Sequence, residues 1–159
     1  MGDELGNTLG NALVDALGGG CHCGNISVQL RLAGTPDSYR PRSCDCAYCR
    51  KHAASYLSDP RGTLLIRIRS AHDTAAYRQG SAAAEFLVCR TCGVLVVVLY
   101  RDNRSVHATV NVRALDPAIR FGPELPVSPQ TLSAAEKVQR WRDIWFSSVA
   151  IVSAGQISA

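Results

Sequence analysis

At 159 residues, with 47% hydrophobic and 19% charged side chains, the chain has the size and composition of one globular domain rather than of a disordered segment. Its net charge of +4 is carried by dispersed basic residues, without the stripe that a purely electrostatic nucleic-acid binder shows, so nucleic acid is not the expected partner. Seven cysteines, an odd number, exclude a framework made only of disulfides, and the longest apolar run, residues 94–100, is too short to cross a membrane.

Residues 1–19 are rich in glycine, include Asp3, Glu4 and Asp15, and have no basic leader region. They read as a flexible N-terminal arm and not as a signal peptide, and a reducing, cytoplasmic location is expected for so many clustered thiols. Residues 26–32 alternate, with Ile26, Val28, Leu30 and Leu32 on one face, and predict a half-buried strand. A turn at residues 34–37 follows. Residues 48–55 predict a short helix, and residues 63–69 a second strand with Leu64, Ile66 and Ile68 sharing a face.

Residues 71–80 fit either a short strand or a helical turn. Residues 84–88 predict a strand, and residues 94–100 a strand buried on both faces. Asp102 and Asn103 mark a hairpin turn into a partner strand at residues 105–112. Asp116-Pro117 reads as the start of a helical turn. Residues 121–129, with three prolines and a glycine, predict an extended loop. Ser133 and Glu136 form an S-x-x-E capping box at the head of a helix reaching about Phe146. Trp141 and Trp145 on that helix predict a core or lid packed on the sheet. Residues 147–159 read as a frayed C-terminal tail, leaving residues 20–146 as the single domain.

The cysteines fall into three clusters: Cys21-His22-Cys23-Gly24, Cys44-Asp45-Cys46-Ala47-Tyr48-Cys49 and Cys89-Arg90-Thr91-Cys92-Gly93. Zinc takes four ligands in a closed structural site, and three plus an open position in a reactive one. Seven thiols divide as four and three. The four are Cys21, Cys23, Cys89 and Cys92, each pair followed by a glycine where the chain folds tightly round a metal. The three are Cys44, Cys46 and Cys49, which run into the cationic Arg50-Lys51-His52, a stretch suited to an anionic ligand. Spacing alone also permits Cys44 and Cys46 to pair with Cys89 and Cys92. His22 is expected to be oriented by its motif rather than to coordinate.

These motifs, in this order from about Gly20 to Leu115, resemble the glutathione-dependent formaldehyde-activating enzyme family, which includes the centromere protein V domain. The resemblance implies a mainly β, Mss4-like fold of two small antiparallel sheets stapled by zinc, with a C-terminal helix added. It implies two zinc ions per chain and glutathione as cosubstrate. The implied activity is that of a carbon–sulfur lyase, joining a small thiol and an aldehyde into S-hydroxymethylglutathione. Cys44, Cys46 and Cys49 would hold the reactive zinc; Arg50, Lys51 and Arg113 would favour the glutathione carboxylates; His52 would shuttle a proton. Ala47 stands where relatives often carry serine, and His52 where they often carry glycine. The alternative is a non-catalytic zinc module that binds a protein or nucleic-acid partner.

Overall fold

A computed structural model describes residues 15–154. Most of the expected N-terminal arm therefore lies outside the described residues, as does the end of the chain. The fold is mainly β, with two sheets and two helices. The smaller sheet has the order β1 (Leu17–Gly20), β2 (Ile26–Arg31), β5 (Thr63–Ile68), β11 (Ser148–Ser153). The larger has the order β10 (Leu125–Val127), β3 (Arg42–Cys44), β4 (Ser55–Leu57), β9 (Val106–Asn111), β8 (Leu95–Arg101), β7 (Ala84–Cys89), β6 (Thr74–Tyr77). Among the described residues, no helix is long and apolar enough to cross a membrane.

The alternating segments behave as their pattern dictates. Ile26, Val28 and Leu30 of β2 face Leu64 and Ile66 of β5 in one core, while Gln29 and Arg31 are exposed. That core is shared by both sheets and also holds Leu57, Leu87, Val97, Leu99 and Val110. The near-continuous apolar run of β8 is explained by its two neighbours. Val97 and Leu99 enter the shared core, whereas Leu95 and Val98 enter a second cluster with Phe86, Trp141 and Trp145. A register shift between Leu87 and Val88 leaves Val96 without a paired partner and changes the face each later residue presents.

Several segments differ from the reading of the sequence: the helix expected over residues 48–55 spans only Ala47–Lys51, and Ser55 opens β4. Residues 148–153, expected as tail, form β11, which pairs in parallel with β5 and turns Val149 and Ile151 toward the shared core. Residues 125–127, expected as loop, form β10, parallel to β3 at the sheet edge, where Pro126 costs no ladder bond. The sheets are thus not purely antiparallel. Parallel partners are far apart in sequence and leave no hairpin signal. Leu17–Gly20, assigned to the arm, forms β1.

Gly19 and Gly20 of β1 allow a close backbone approach. A Cβ on Gly19 would lie 2.3 Å from the Ala114 carbonyl oxygen and 2.6 Å from Leu115 Cα, both backbone atoms that cannot step aside. Gly19→Ala is expected to destabilise the protein by about 1–3 kcal/mol, the range for overpacking. Chemical denaturation of the variant beside the parent chain measures it, and an unchanged midpoint would contradict the packing.

α2 (Ala134–Ile144) starts at the expected capping box. The Ser133 hydroxyl accepts from the Glu136 amide at 3.2 Å, and the Glu136 carboxylate accepts from the Ser133 amide at 2.7 Å. Trp141 and Trp145 stack at 5.0 Å between ring centres and pack on the larger sheet. Phe146, fully buried, then pairs with Ala108 and leads into β11. Asp116-Pro117 gives only a turn, closed by the Asp116 carboxylate accepting from the Ala118 amide at 2.9 Å.

Candidate functional site

Two backbone knuckles bring the outer cysteines together. In the first, the Cys21 amide donates to the Ile26 carbonyl at 2.8 Å, and the Ile26 amide donates to Cys21 Sγ at 3.2 Å. In the second, the Cys89 amide donates to the Val94 carbonyl at 3.0 Å and the Gly93 amide to the Cys89 carbonyl at 2.8 Å. Gly24 and Gly93 take left-handed φ values of 85° and 79°, which these tight reversals require. The four sulfurs of Cys21, Cys23, Cys89 and Cys92 all lie within 4.8 Å of one another.

The donor set fits zinc. Zinc–sulfur bonds of about 2.3 Å in a tetrahedron place the sulfurs about 3.8 Å apart. Cys21 and Cys23 are at 3.7 Å, and Cys23 and Cys89 at 3.4 Å. His22 is exposed beside this cluster. Backbone donors also prepare the charge: burial opposes ionisation of Cys92, yet hydrogen bonds from the backbone at Cys23 and Val94 draw it to about 6.

Cys44, Cys46 and Cys49 form the second cluster, again with sulfurs within 4.8 Å of one another. Cys44 ends β3, and Cys46 caps α1 (Ala47–Lys51), its sulfur accepting from the Cys49 amide at 3.5 Å. The Cys49 contact draws Cys44 down to about 6, while its reciprocal effect and burial push Cys49 well up. Three soft donors, one already disposed to ionise, also suit zinc. Both clusters are thus compatible with zinc sites.

Tyr56 is a residue the sequence did not signal. Its hydroxyl lies 3.1 Å from Cys49 Sγ in a buried setting, and burial together with the Cys49 charge raises its own pKa far above the phenol range. It therefore stays protonated, within hydrogen-bond distance of the Cys49 sulfur. Asp45, beside the cluster, accepts from the Ser128 hydroxyl and from Gln130 Nε2 at 3.2 Å, tying the segment after β10 to the cysteine loop.

The triplet opens into a cleft of about 360 Å³. The cleft is walled by Tyr48, Tyr56, Phe86, Trp141 and Trp145, and its cations are Arg42, Lys137 and Arg140. The cations expected from sequence are elsewhere. Arg50 and Lys51 are exposed and do not line the cleft. The reason is helical geometry: with Cys49 directed inward, the next two residues rotate by about 100° each and leave that face. Arg113 is exposed, paired with Glu124 at 2.5 Å and donating to the Ala53 carbonyl at 3.0 Å. His52 ends α1, with its ring 4.8 Å from that of Tyr48, and is likewise absent from the cleft wall. Within 111–113 the residue with structural consequence is Asn111, whose amide donates to the Leu95 carbonyl at 2.9 Å and whose oxygen accepts from the Ser55 amide at 3.4 Å.

Arg42 donates to the Ser58 hydroxyl at 2.6 Å and reaches Thr109 Oγ1 at 3.5 Å. Burial, with the neighbouring Arg140 charge, lowers it to about 10. No signal in the sequence distinguishes Arg42 from the chain's other arginines; its depth comes from β3 lying between β4 and β10.

The family model for the glutathione-dependent formaldehyde-activating enzyme matches residues 16–128. Among solved structures, a Rhodobacter sphaeroides protein is 28% identical, with 69% of this chain and 98% of that chain covered at a TM-score of 0.48. No curated protein matches.

Proposed function

The chain belongs to the glutathione-dependent formaldehyde-activating enzyme family, and on that premise we propose that its cleft joins a small thiol to an aldehyde, and separates them again, as a carbon–sulfur lyase does. The observation that carries this reading is the position of Cys44, Cys46 and Cys49, three thiols at the wall of a cleft beside the partly buried cations Arg42, Lys137 and Arg140. Cys21, Cys23, Cys89 and Cys92, whose cluster joins two stretches of chain far apart in sequence, are assigned to a structural zinc.

Cys44, Cys46 and Cys49 would hold the zinc, which would supply a Lewis-acidic centre able to lower the pKa of a substrate thiol. In the reaction, the thiolate sulfur of glutathione adds to the carbonyl carbon of formaldehyde. One C–S bond forms, the carbonyl π pair moves to oxygen, and the proton lost by the thiol ends on that oxygen as S-hydroxymethylglutathione. The protein's own groups set the stage for this. Tyr56 holds Cys49 by its hydroxyl, the Cys49 amide holds Cys46, and the aromatic walls limit water at the reacting carbon. Arg42, Arg140 and Lys137 take the place first given to Arg50, Lys51 and Arg113 as partners for carboxylates.

The test is native mass spectrometry of the purified chain, followed by NMR of formaldehyde and glutathione with and without it. Two zinc ions per chain and accelerated exchange between free formaldehyde and S-hydroxymethylglutathione are expected. One zinc, with exchange no faster than the spontaneous rate, would refute the reading and leave a zinc-stapled binding module.

A further inference from the structure

The cleft holds more than a one-carbon aldehyde needs. Among the described residues, Arg142 pairs with Asp102, Arg78 and Arg101 with Glu85, and Arg113 with Glu124. Arg42 and Arg140 have no carboxylate within ion-pair distance among those residues, although both line the cleft. Two guanidiniums in one wall repel each other. Cys44 offsets part of the Arg140 charge, but the geometry of a guanidinium fork matches a carboxylate, which neither arginine has among the described residues. The wall is therefore built for an anion supplied from outside.

The opposite character adjoins it. Trp141 and Trp145 are stacked on each other, and Tyr48 meets Phe86 edge-on at 4.9 Å. Together these rings give the cleft a broad apolar side. Lys137, Arg140 and Trp141 come from α2 and Trp145 caps its end, beyond residues 16–128 of the family match. Neither a hydroxymethyl group nor formaldehyde has enough surface to use this apolar side.

We infer that the cleft takes an amphipathic anion: a thiol adduct whose carboxylate is held between Arg42 and Arg140 and whose substituent, larger than hydroxymethyl, lies along Trp141 and Trp145. This rests on the thiol–aldehyde reading and narrows it to adducts of longer or aromatic aldehydes.

Two stable glutathione thioethers, S-methylglutathione and S-hexylglutathione, probe it without turnover. Calorimetry on the full chain is expected to show the hexyl compound binding at least 10-fold more tightly than the methyl compound. Arg140→Gln, a partly exposed position on α2, is expected to weaken both by at least 10-fold, whereas Arg50→Gln leaves both unchanged. The chain's two tryptophans are both in this wall, so the hexyl compound should also shift intrinsic fluorescence more than the methyl compound does.

Equal affinities, no binding of either probe, an Arg140→Gln protein that binds as the parent does, or unchanged tryptophan emission would each overturn the inference. The two levels separate cleanly. Binding with these ratios in a chain that forms no adduct would leave the amphipathic site and remove the thiol–aldehyde reaction. Turnover with no preference between the probes would do the reverse.

Discussion

Cys89→Ser is expected to abolish the cooperative thermal unfolding transition of this protein. Cys89 is fully buried at the end of β7, and its sulfur lies 3.4 Å from that of Cys23, 66 residues earlier. The four-thiol cluster therefore joins the entry to β2 in one sheet to the β7–β8 connection in the other. A structural zinc contributes on the order of 10 kcal/mol, comparable with the whole stability of a domain, about 5–15 kcal/mol. Serine is a poor ligand for this ion and leaves its hydroxyl in an apolar core. Circular dichroism through a thermal ramp, with zinc counted per chain, checks the expectation. A variant that has lost one zinc yet melts cooperatively within a few degrees of the parent would show that the cluster is not what holds the sheets together.

The second large effect has the opposite signature. Cys46→Ala is expected to remove adduct exchange while leaving the fold in place. Cys46 is only partly buried and lies at the wall of the cleft rather than in the shared core. Losing one of three thiolates should cost about 10³-fold in rate, equivalent to about 4 kcal/mol of barrier. The structural cost is that of a helix cap, about 0.5–2 kcal/mol, because the Cys49 amide loses its acceptor. Cys46→Ser separates the two, since its hydroxyl restores the cap without restoring the thiolate. Exchange at the parent rate in either variant, measured by NMR, would place the chemistry elsewhere.

The site was partly legible in the residues. The division of seven thiols into four and three followed from a glycine after each outer pair, and the structure brings the same two groups of sulfurs together. The apolar periodicity of β2 and β5, the hairpin of β8 and β9 and the capping box of Ser133 and Glu136 are all local signals, and all appear where they were expected. What was misread depended on distant partners. β10 and β11 are parallel additions to strands about 80 residues earlier. Gly19 of β1 is intelligible only once the backbone of 114–115 is beside it.

The sequence by itself determined how the thiols group and where the alternating strands β2 and β5 are, because knuckle spacing and alternation act within a few residues. Only the tertiary structure decided which cations share a cleft with Cys44, Cys46 and Cys49. Arg50 and Lys51 are adjacent to Cys49 in the chain, but a single helical turn carries them to the surface. Arg42 and Arg140, almost 100 positions apart, arrive at one wall because the edge of the larger sheet and α2 pack round the same cleft. Proximity along a chain fixes what a helix or a turn can present on one face. Proximity across a cleft is fixed by which apolar faces must be buried, and here the burial of Trp141 and Trp145 against the larger sheet is what delivers Arg140.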